Sequence, residues 1–388
     1  QARSLQRPSV NLQATVKRNR LESSVDGPFS AEGSSTNSQV AVAARQPLFN
    51  LGNSAKVSQA EASLTAAEAD LKMAEDDLVA RLAQGYFDVL AAQDVLATAK
   101  DNKKALAEQL ASAKRSFEVG NSTITDTREA QARFDLATAQ EIAATNDLRV
   151  KHIALDQLVG RADVKPNPLR TPVNLESLDP GQIAPWVQNT GTAPMVRKAE
   201  VGLKVAKLEV DGARAGHMPT LDAVAQVART HISSGNDLVK AQSGAGTAGS
   251  IGLEFNMPLY AGNAIQNRVR ETLSLQDKAE RDLDNARRGV ELGTRQAYSG
   301  VQSGLAQVKA YEAAESSAKL ALEATQLGYR VGVRINKDVL DAQTQLTNTQ
   351  KDLYKARYDV IIGAIKLRQA AGTLTAADLT ELNKLVAP

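Results

Sequence analysis

Asp338 and Asp341 stand three residues apart near the start of a helical stretch, and they are the clearest candidates for chemistry in this 388-residue sequence. Residues at that spacing share one face of a helix. Repeated around a symmetric assembly of several copies, they would form two rings of carboxylates, which favour cations and can bind metal ions. The plainer reading is that Asp338 caps the helix and Asp341 is an exposed first-turn acid. Little else offers catalysis. There is no cysteine, hence no disulfide, thiolate nucleophile or cysteine metal site. His152, His217 and His231 fall on a short helix, a helix end and a strand, with no metal-ligand spacing among them. No phosphate-binding glycine loop and no G-x-S-x-G element is present, so neither an enzyme nor a cofactor is expected. With 46 basic and 44 acidic residues, the net charge of +2 gives no reason to expect nucleic-acid binding.

The elements that position these acids come from a duplication. Ala2-Arg3 recurs as Ala213-Arg214, Pro8 as Pro219, and Pro47-Leu48-Phe49 as Pro258-Leu259-Tyr260, each 211 residues on. Phe117-x-Val119-Gly120 recurs as Tyr329-x-Val331-Gly332, Asp126 as Asp338 and Gly160 as Gly372, each 212 on. One residue of slip over such a length marks two copies of one structural unit.

All twelve prolines avoid residues 48–165 and 259–387. An interior proline costs a helix about 3 kcal/mol, so windows this clean can hold very long helices. Val57, Leu64, Leu71 and Leu78 repeat every seven residues beside Ala60, Ala67 and Ala74; Leu283, Val290 and Ala297 do the same. That period marks a coiled-coil seam. Helices over 53–119 and 263–331 follow, each on the order of 100 Å at about 1.5 Å per residue. Each stops at a Val-Gly pair, Val119-Gly120 or Val331-Gly332, where glycine takes the left-handed conformation freely. A half-length helix then starts at Asp126 or Asp338, the carboxylate capping free N–H groups. The second carries Leu346, Leu353, Val360 and Leu367; the first carries Phe134, Leu148 and Leu155. Each long helix thereby folds back on a shorter partner.

Upstream of each long helix the period falls to two. Val10, Leu12, Ala14 and Val16 alternate with polar residues, as do Ile251, Leu253, Phe255, Met257 and Leu259; residues 38–48 and 219–232 alternate less cleanly. Four strands of about 10–14 residues result, the length of a tilted membrane-barrel strand. Alternation fits a half-buried aqueous sheet equally well. Four strands in two separate hairpins cannot close a barrel, so several copies must contribute. Residues 23–37 and 233–248, rich in Gly, Ser, Asn and Asp, read as surface loops. No run of 18 apolar residues exists to form a transmembrane helix.

The segments divide as 8–50, a first hairpin; 53–160, a long and a short helix; 161–191, with five prolines and Trp186; 192–217, a helix; 218–261, a second hairpin; 263–371, the second helix pair; and 372–388, a tail with Leu374, Leu379, Leu382 and Leu385 at amphipathic spacing. Segment 161–191 and the tail each follow a half-length helix and are expected side by side. Only Gln1 to Arg7 precede Pro8, where the duplication calls for a helix of some 25–30 residues. Beginning at Gln1 without a methionine, the sequence reads as a processed or truncated form.

The duplicated series of hairpin, very long helix, Val-Gly turn and short helix resembles the TolC family of outer-membrane efflux and secretion ducts over essentially the whole chain. The most specific stretch is Gly328-Tyr329-Arg330-Val331-Gly332-Val333-Arg334, followed by Asp338-Val339-Leu340-Asp341-Ala342. Phe117-Glu118-Val119-Gly120 with Ile124-Thr125-Asp126 is its first-copy partner, and Ala213-Arg214-Ala215-Gly216-His217-Met218-Pro219-Thr220-Leu221 resembles the family's entry into its second hairpin. The resemblance implies a mainly α protein with a membrane β part. It would be a homotrimer with a twelve-stranded β-barrel in outer-membrane lipid and a twelve-helix α-barrel in the periplasm. A periplasmic adaptor and an inner-membrane transporter, of ABC or RND type, would deliver cargo for type I secretion or multidrug efflux. The resemblance also implies that Asp338 and Asp341 line the periplasmic entrance. It makes Thr125, Asp126, Tyr329 and Arg334 a latch, Arg334 meeting Asp126 between coiled coils; the bland alternative is local capping and a surface ion pair. A soluble coiled-coil tether or adaptor is the competing reading.

Overall fold

The computed structural model describes residues 1–24, 30–170, 173, 175–234 and 243–386. They divide into two compact units, residues 1–68 with 198–284 and residues 69–197 with 285–388.

The first unit is built on a four-stranded antiparallel sheet in the order β1 (Ser9–Ser24), β2 (Ser30–Phe49), β3 (Thr220–Ser234) and β4 (Gly244–Asn256). Both expected hairpins form, β1 with β2 and β3 with β4, but they are joined into one sheet and do not stay separate. β2 runs for 20 residues and offers a full ladder to β3, which pairs with it from Ser35 to Phe49. The strands also extend into both segments expected to be loops; residues 25–29 and 235–242 of those segments lie outside the described residues.

Register sorts the two faces. Val10, Leu12, Ala14 and Val16 lie opposite Ala44, Val42, Val40 and Ser38, and β3 continues these rows with Ala225, Val227, Arg229 and His231. Ile251 and Leu253 of β4 complete the lower rows. Side chains alternate between faces, so one face is an apolar belt, while the other carries Asn11, Gln13, Thr15, Gln39, Gln226 and Glu254. Among the described residues nothing covers the belt: Val10, Leu12, Val16, Ile251, Leu253 and Phe255 are each at least 65% exposed. On the polar face Arg45 holds the buried Asp222 at 2.6 Å.

The second unit is helical. α1 (Leu51–Glu118) enters it from the first unit and is followed by α2 (Ile124–Val159), the short α3 (Ile183–Asn189) and the start of α4 (Pro194–Arg214). α5 (Ala264–Arg330), α6 (Asn336–Ala370) and α7 (Ala376–Leu382) complete it. α6 is the central element: Leu346, Leu353, Val360 and Leu367 are buried at the expected heptad positions, with Ile361 and Ile365 beside them. Phe87 and Leu90 of α1 and Val308 of α5 close on this core. Within it Tyr358 donates a 2.6 Å hydrogen bond to Asp94. Burial pushes the Asp94 carboxyl above its ordinary range, and the Tyr358 bond opposes that shift.

The α1 seam differs from expectation. Leu64, Leu71 and Leu78 are about half exposed or more, and the buried stripe is Ala62, Ala69, Asp76 and Ala83. Alanine lets helices approach closely, so the protomer uses the small-residue stripe and leaves the leucines outside. At the other end of the unit, Leu169 bridges to Val386, and the Arg170 amide donates to the Leu385 carbonyl at 2.9 Å. The middle segment and the tail therefore pair.

Candidate functional site

Both long helices end as their Val-Gly pairs require. Gly120 has φ 78° and Gly332 φ 81°, while Val119 and Val331 are exposed. In the second turn the Val333 amide reaches back to the Gly328 carbonyl at 2.9 Å, satisfying an orphan acceptor at the end of α5.

The start of each short helix corrects the capping expectation. α2 is capped by Thr123, whose hydroxyl accepts from the Asp126 amide at 3.2 Å. Asp126 sits three residues in, and its carboxylate accepts from the Thr123 amide at 2.9 Å and hydroxyl at 2.8 Å. This reciprocal box fixes the turn. α6 starts at Asn336 without a side-chain cap, so Asp338 is a first-turn acid and not the cap. Arg334, four residues before it, pairs with it at 3.5 Å.

These local bonds decide the latch geometry within the protomer. Arg334 meets Asp338 and Asp126 meets Thr123, so the structure does not bring Arg334 and Asp126 together. Thr125 is exposed on α2, and the Tyr329 ring packs with Leu322, Val339 and Leu346.

A different set of residues ties the coiled coils together. Arg133 of α2 meets Asp341 of α6 at 2.7 Å, and Lys337 meets the other carboxylate oxygen at 2.5 Å. Asn336, 3% exposed, accepts a hydrogen bond from Gln109 of α1. Two turns deeper, the buried Asn102 accepts from Thr347 at 3.0 Å and from Gln343 at 3.4 Å. Leu340 packs among Leu106, Leu110, Ala113 and Ala130. Asn336, Leu340, Gln343 and Thr347 thus form one stripe of α6 facing α1. Arg133 could have been found from its place seven residues beyond Asp126, two turns along the same face; Gln109 and Asn102 carry no such signal.

The ion pair has a defined pH dependence. Its hydrogen bond to Lys337 holds Asp341 below the ordinary aspartate value of 3.8; burial opposes this, and the charges of Lys337 and Arg133 reinforce it. A carboxyl with a depressed value stabilises the structure above its ordinary value and loses that contribution as pH falls through the depressed one. Any property that depends on this contact should therefore stay constant from pH 8 to 5 and change only below about 4. Bilayer conductance followed across that range checks it; a transition near pH 6 would contradict it. Among the described residues no group of three His, Cys, Asp or Glu side chains is placed to hold a metal ion.

Comparison with known proteins places this architecture. The family profile described as outer membrane efflux protein matches residues 1–161 and 189–373. The outer membrane protein TolC of Vibrio cholerae is 33% identical over 349 residues, covering 87% of this chain and 77% of that protein. The alkaline protease secretion protein AprF of Pseudomonas aeruginosa is 30% identical over 341 residues, 86% of this chain and 69% of that protein. The crystal structure of the outer membrane protein VceC of Vibrio cholerae shares the fold at 18% identity, with a TM-score of 0.79 over 96% of this chain and 88% of that one. The chain belongs to the outer membrane efflux protein family, as a channel protein of the Gram-negative outer membrane and not an enzyme.

Proposed function

We propose that the chain is one protomer of a homotrimeric exit duct, which passively conducts cargo delivered by an inner-membrane transporter through a periplasmic adaptor. The observation that carries this is the uncovered apolar belt on a sheet whose outer strands, β1 and β4, each present an open edge. Open edges and a belt of this size are unstable in water. A closed barrel in lipid satisfies both, because every ladder finds a partner and the belt meets acyl chains. Three copies supply twelve strands, and α1, α2, α5 and α6 supply twelve helices. The exposed Leu64, Leu71 and Leu78 stripe then faces a neighbouring copy. A soluble tether would leave both belt and stripe in water.

The duct's periplasmic gate lies at the α1–α2 and α5–α6 turns, where Asp338 and Asp341 line the constriction and Thr125, Asp126, Tyr329 and Arg334 form its rim. The exposed Val119, Val331 and Val333 make an apolar tip suited to an adaptor. Drug and protein cargo share this tube, since the transporter makes the selection. The duct reading is tested by membrane extraction, crosslinking and planar-bilayer recording. It expects release only by detergent, a trimer, and a conducting pore; a water-soluble monomer without conductance refutes it.

A further inference from the structure

The outward face of the sheet changes character at its upper end, away from the strand ends that lead into α1 and α5. Below, it is apolar: Leu12, Val42 and Val227 form one row, and Val10, Ala44, Ala225 and Ile251 the next. Above, the same face carries Arg229 opposite Val40, His231 opposite Ser38, and Arg18 opposite Thr36. Arg20 follows on the same parity of β1. Arg18, Arg229 and His231 are exposed. Between Leu221 and Ser233 the described side chains of this face include no acid; the acids Asp222 and Glu254 point to the opposite face.

Depth gives the arc a meaning. Leu221, paired with Phe255, marks the lower border of the belt, and Arg229 lies eight residues further along β3. At about 3.3 Å per residue and a tilt of about 40°, Arg229 stands roughly 20 Å above that border, and the His231 row roughly 25 Å. A lipid-facing apolar band is about 25 Å tall. The cations therefore fall where acyl chains give way to headgroups, and arginine stems can run along apolar surface to bring the guanidinium there. A charged residue so close to lipid is costly without a partner, and no acid stands in the rows of Arg229, His231 and Arg18 on this face.

We propose that this arc of Arg18, Arg229 and His231 binds the phosphate groups of lipids in the outer leaflet, fixing the barrel's depth and rotation in the membrane. Guanidinium forks match phosphate oxygens in bidentate geometry. The inference rests on the duct reading, because it needs this face to meet lipid.

The test uses the full chain with Arg18→Gln and Arg229→Gln combined, reconstituted in nanodiscs of a phosphate-free galactolipid containing either lipid A or its dephosphorylated form. Retained lipid is counted by native mass spectrometry, and insertion is scored by trimer recovery in the disc fraction. The parent chain should retain lipid A over the dephosphorylated form by about tenfold, and the double variant should insert normally yet lose that preference. Normal insertion with no phosphate preference in the parent overturns the proposal and leaves the duct reading standing. Unchanged preference in the variant also overturns it. Failure of the parent chain to insert at all sinks the duct reading, and the proposal with it.

Discussion

Channels carrying Arg133→Ala are expected to open in planar bilayers under conditions in which the parent channel stays largely closed. The ion pair with Asp341 is the direct charged tie between α2 and α6 at the turns, at 2.7 Å. Both partners are half-buried, so its contribution belongs with surface pairs, at about 0.2–1 kcal/mol. A gate closed by three copies multiplies that term. Loss of about 0.6–3 kcal/mol from the closed state shifts the open-to-closed ratio by roughly threefold to over a hundredfold. Conservative rescue separates a tie from a fold defect. Arg133→Lys should restore most of the closure, because an ammonium still reaches a carboxylate, and Arg133→Ala trimers should retain their thermal stability. Exchange of the two charges, Arg133→Asp with Asp341→Arg, should close the channel better than either single change. If the parent and all of these variants conduct alike, the Arg133–Asp341 contact is an ordinary surface pair and closure rests on other residues.

Asp341 also changes what its neighbour Asp338 can do. With Arg133 and Lys337 both on its carboxylate, Asp341 is neutralised while the tie holds. Breaking the tie removes one of the two cations from Asp341 and leaves Lys337, so opening should modestly strengthen the preference for cations. Both acids read first from the sequence are thus paired, Asp338 with Arg334 of its own turn and Asp341 with Lys337 and with Arg133 of the neighbouring helix.

The sequence showed the long-range order of this chain well, and its lateral contacts poorly. The duplication, the proline-free windows and the Val-Gly pairs led to helices whose ends fall within two residues of Leu51–Glu118 and Ala264–Arg330. Those signals are local: proline and glycine act on their own turn. The heptad on α6 also identified buried residues, because α6 is enclosed within one protomer. The same pattern on α1 picked out Leu64, Leu71 and Leu78, which face outward. A seven-residue repeat marks a stripe without saying which chain covers it. Likewise, Arg334 and Asp126 have the right charges for a link, but each has a nearer partner in its own turn. Competition between local and distant partners depends on distances that spacing does not contain. The joining of β2 to β3 was hidden for a related reason, as 170 residues separate the two strands and no short pattern records the pairing.

The duplication supplies a controlled experiment in packing. Gly160 and Gly372 are equivalent positions 212 apart, each just past the end of a short helix, with φ 72° and 71°. Any residue with a Cβ is strained in that conformation by about 1–2 kcal/mol, so conformation alone predicts equal costs for Gly160→Ala and Gly372→Ala. Their surroundings differ. A Cβ on Gly160 meets nothing within 4 Å, whereas one on Gly372 would lie 2.5 Å from the Cα of Ala193 and 3.2 Å from the Cδ of Pro194. Ala193 is itself 3% exposed and belongs to the backbone that starts α4, so it has no flexible end to move aside. Forcing buried backbone to shift adds about 1–3 kcal/mol. Gly372→Ala should therefore lower the apparent melting temperature of the trimer clearly more than Gly160→Ala, and it should be the variant that fails to assemble at growth temperature. Equal shifts would mean that the α6 end relaxes away from Ala193 at no cost, and that the close approach at Gly372 does not hold α4 in place.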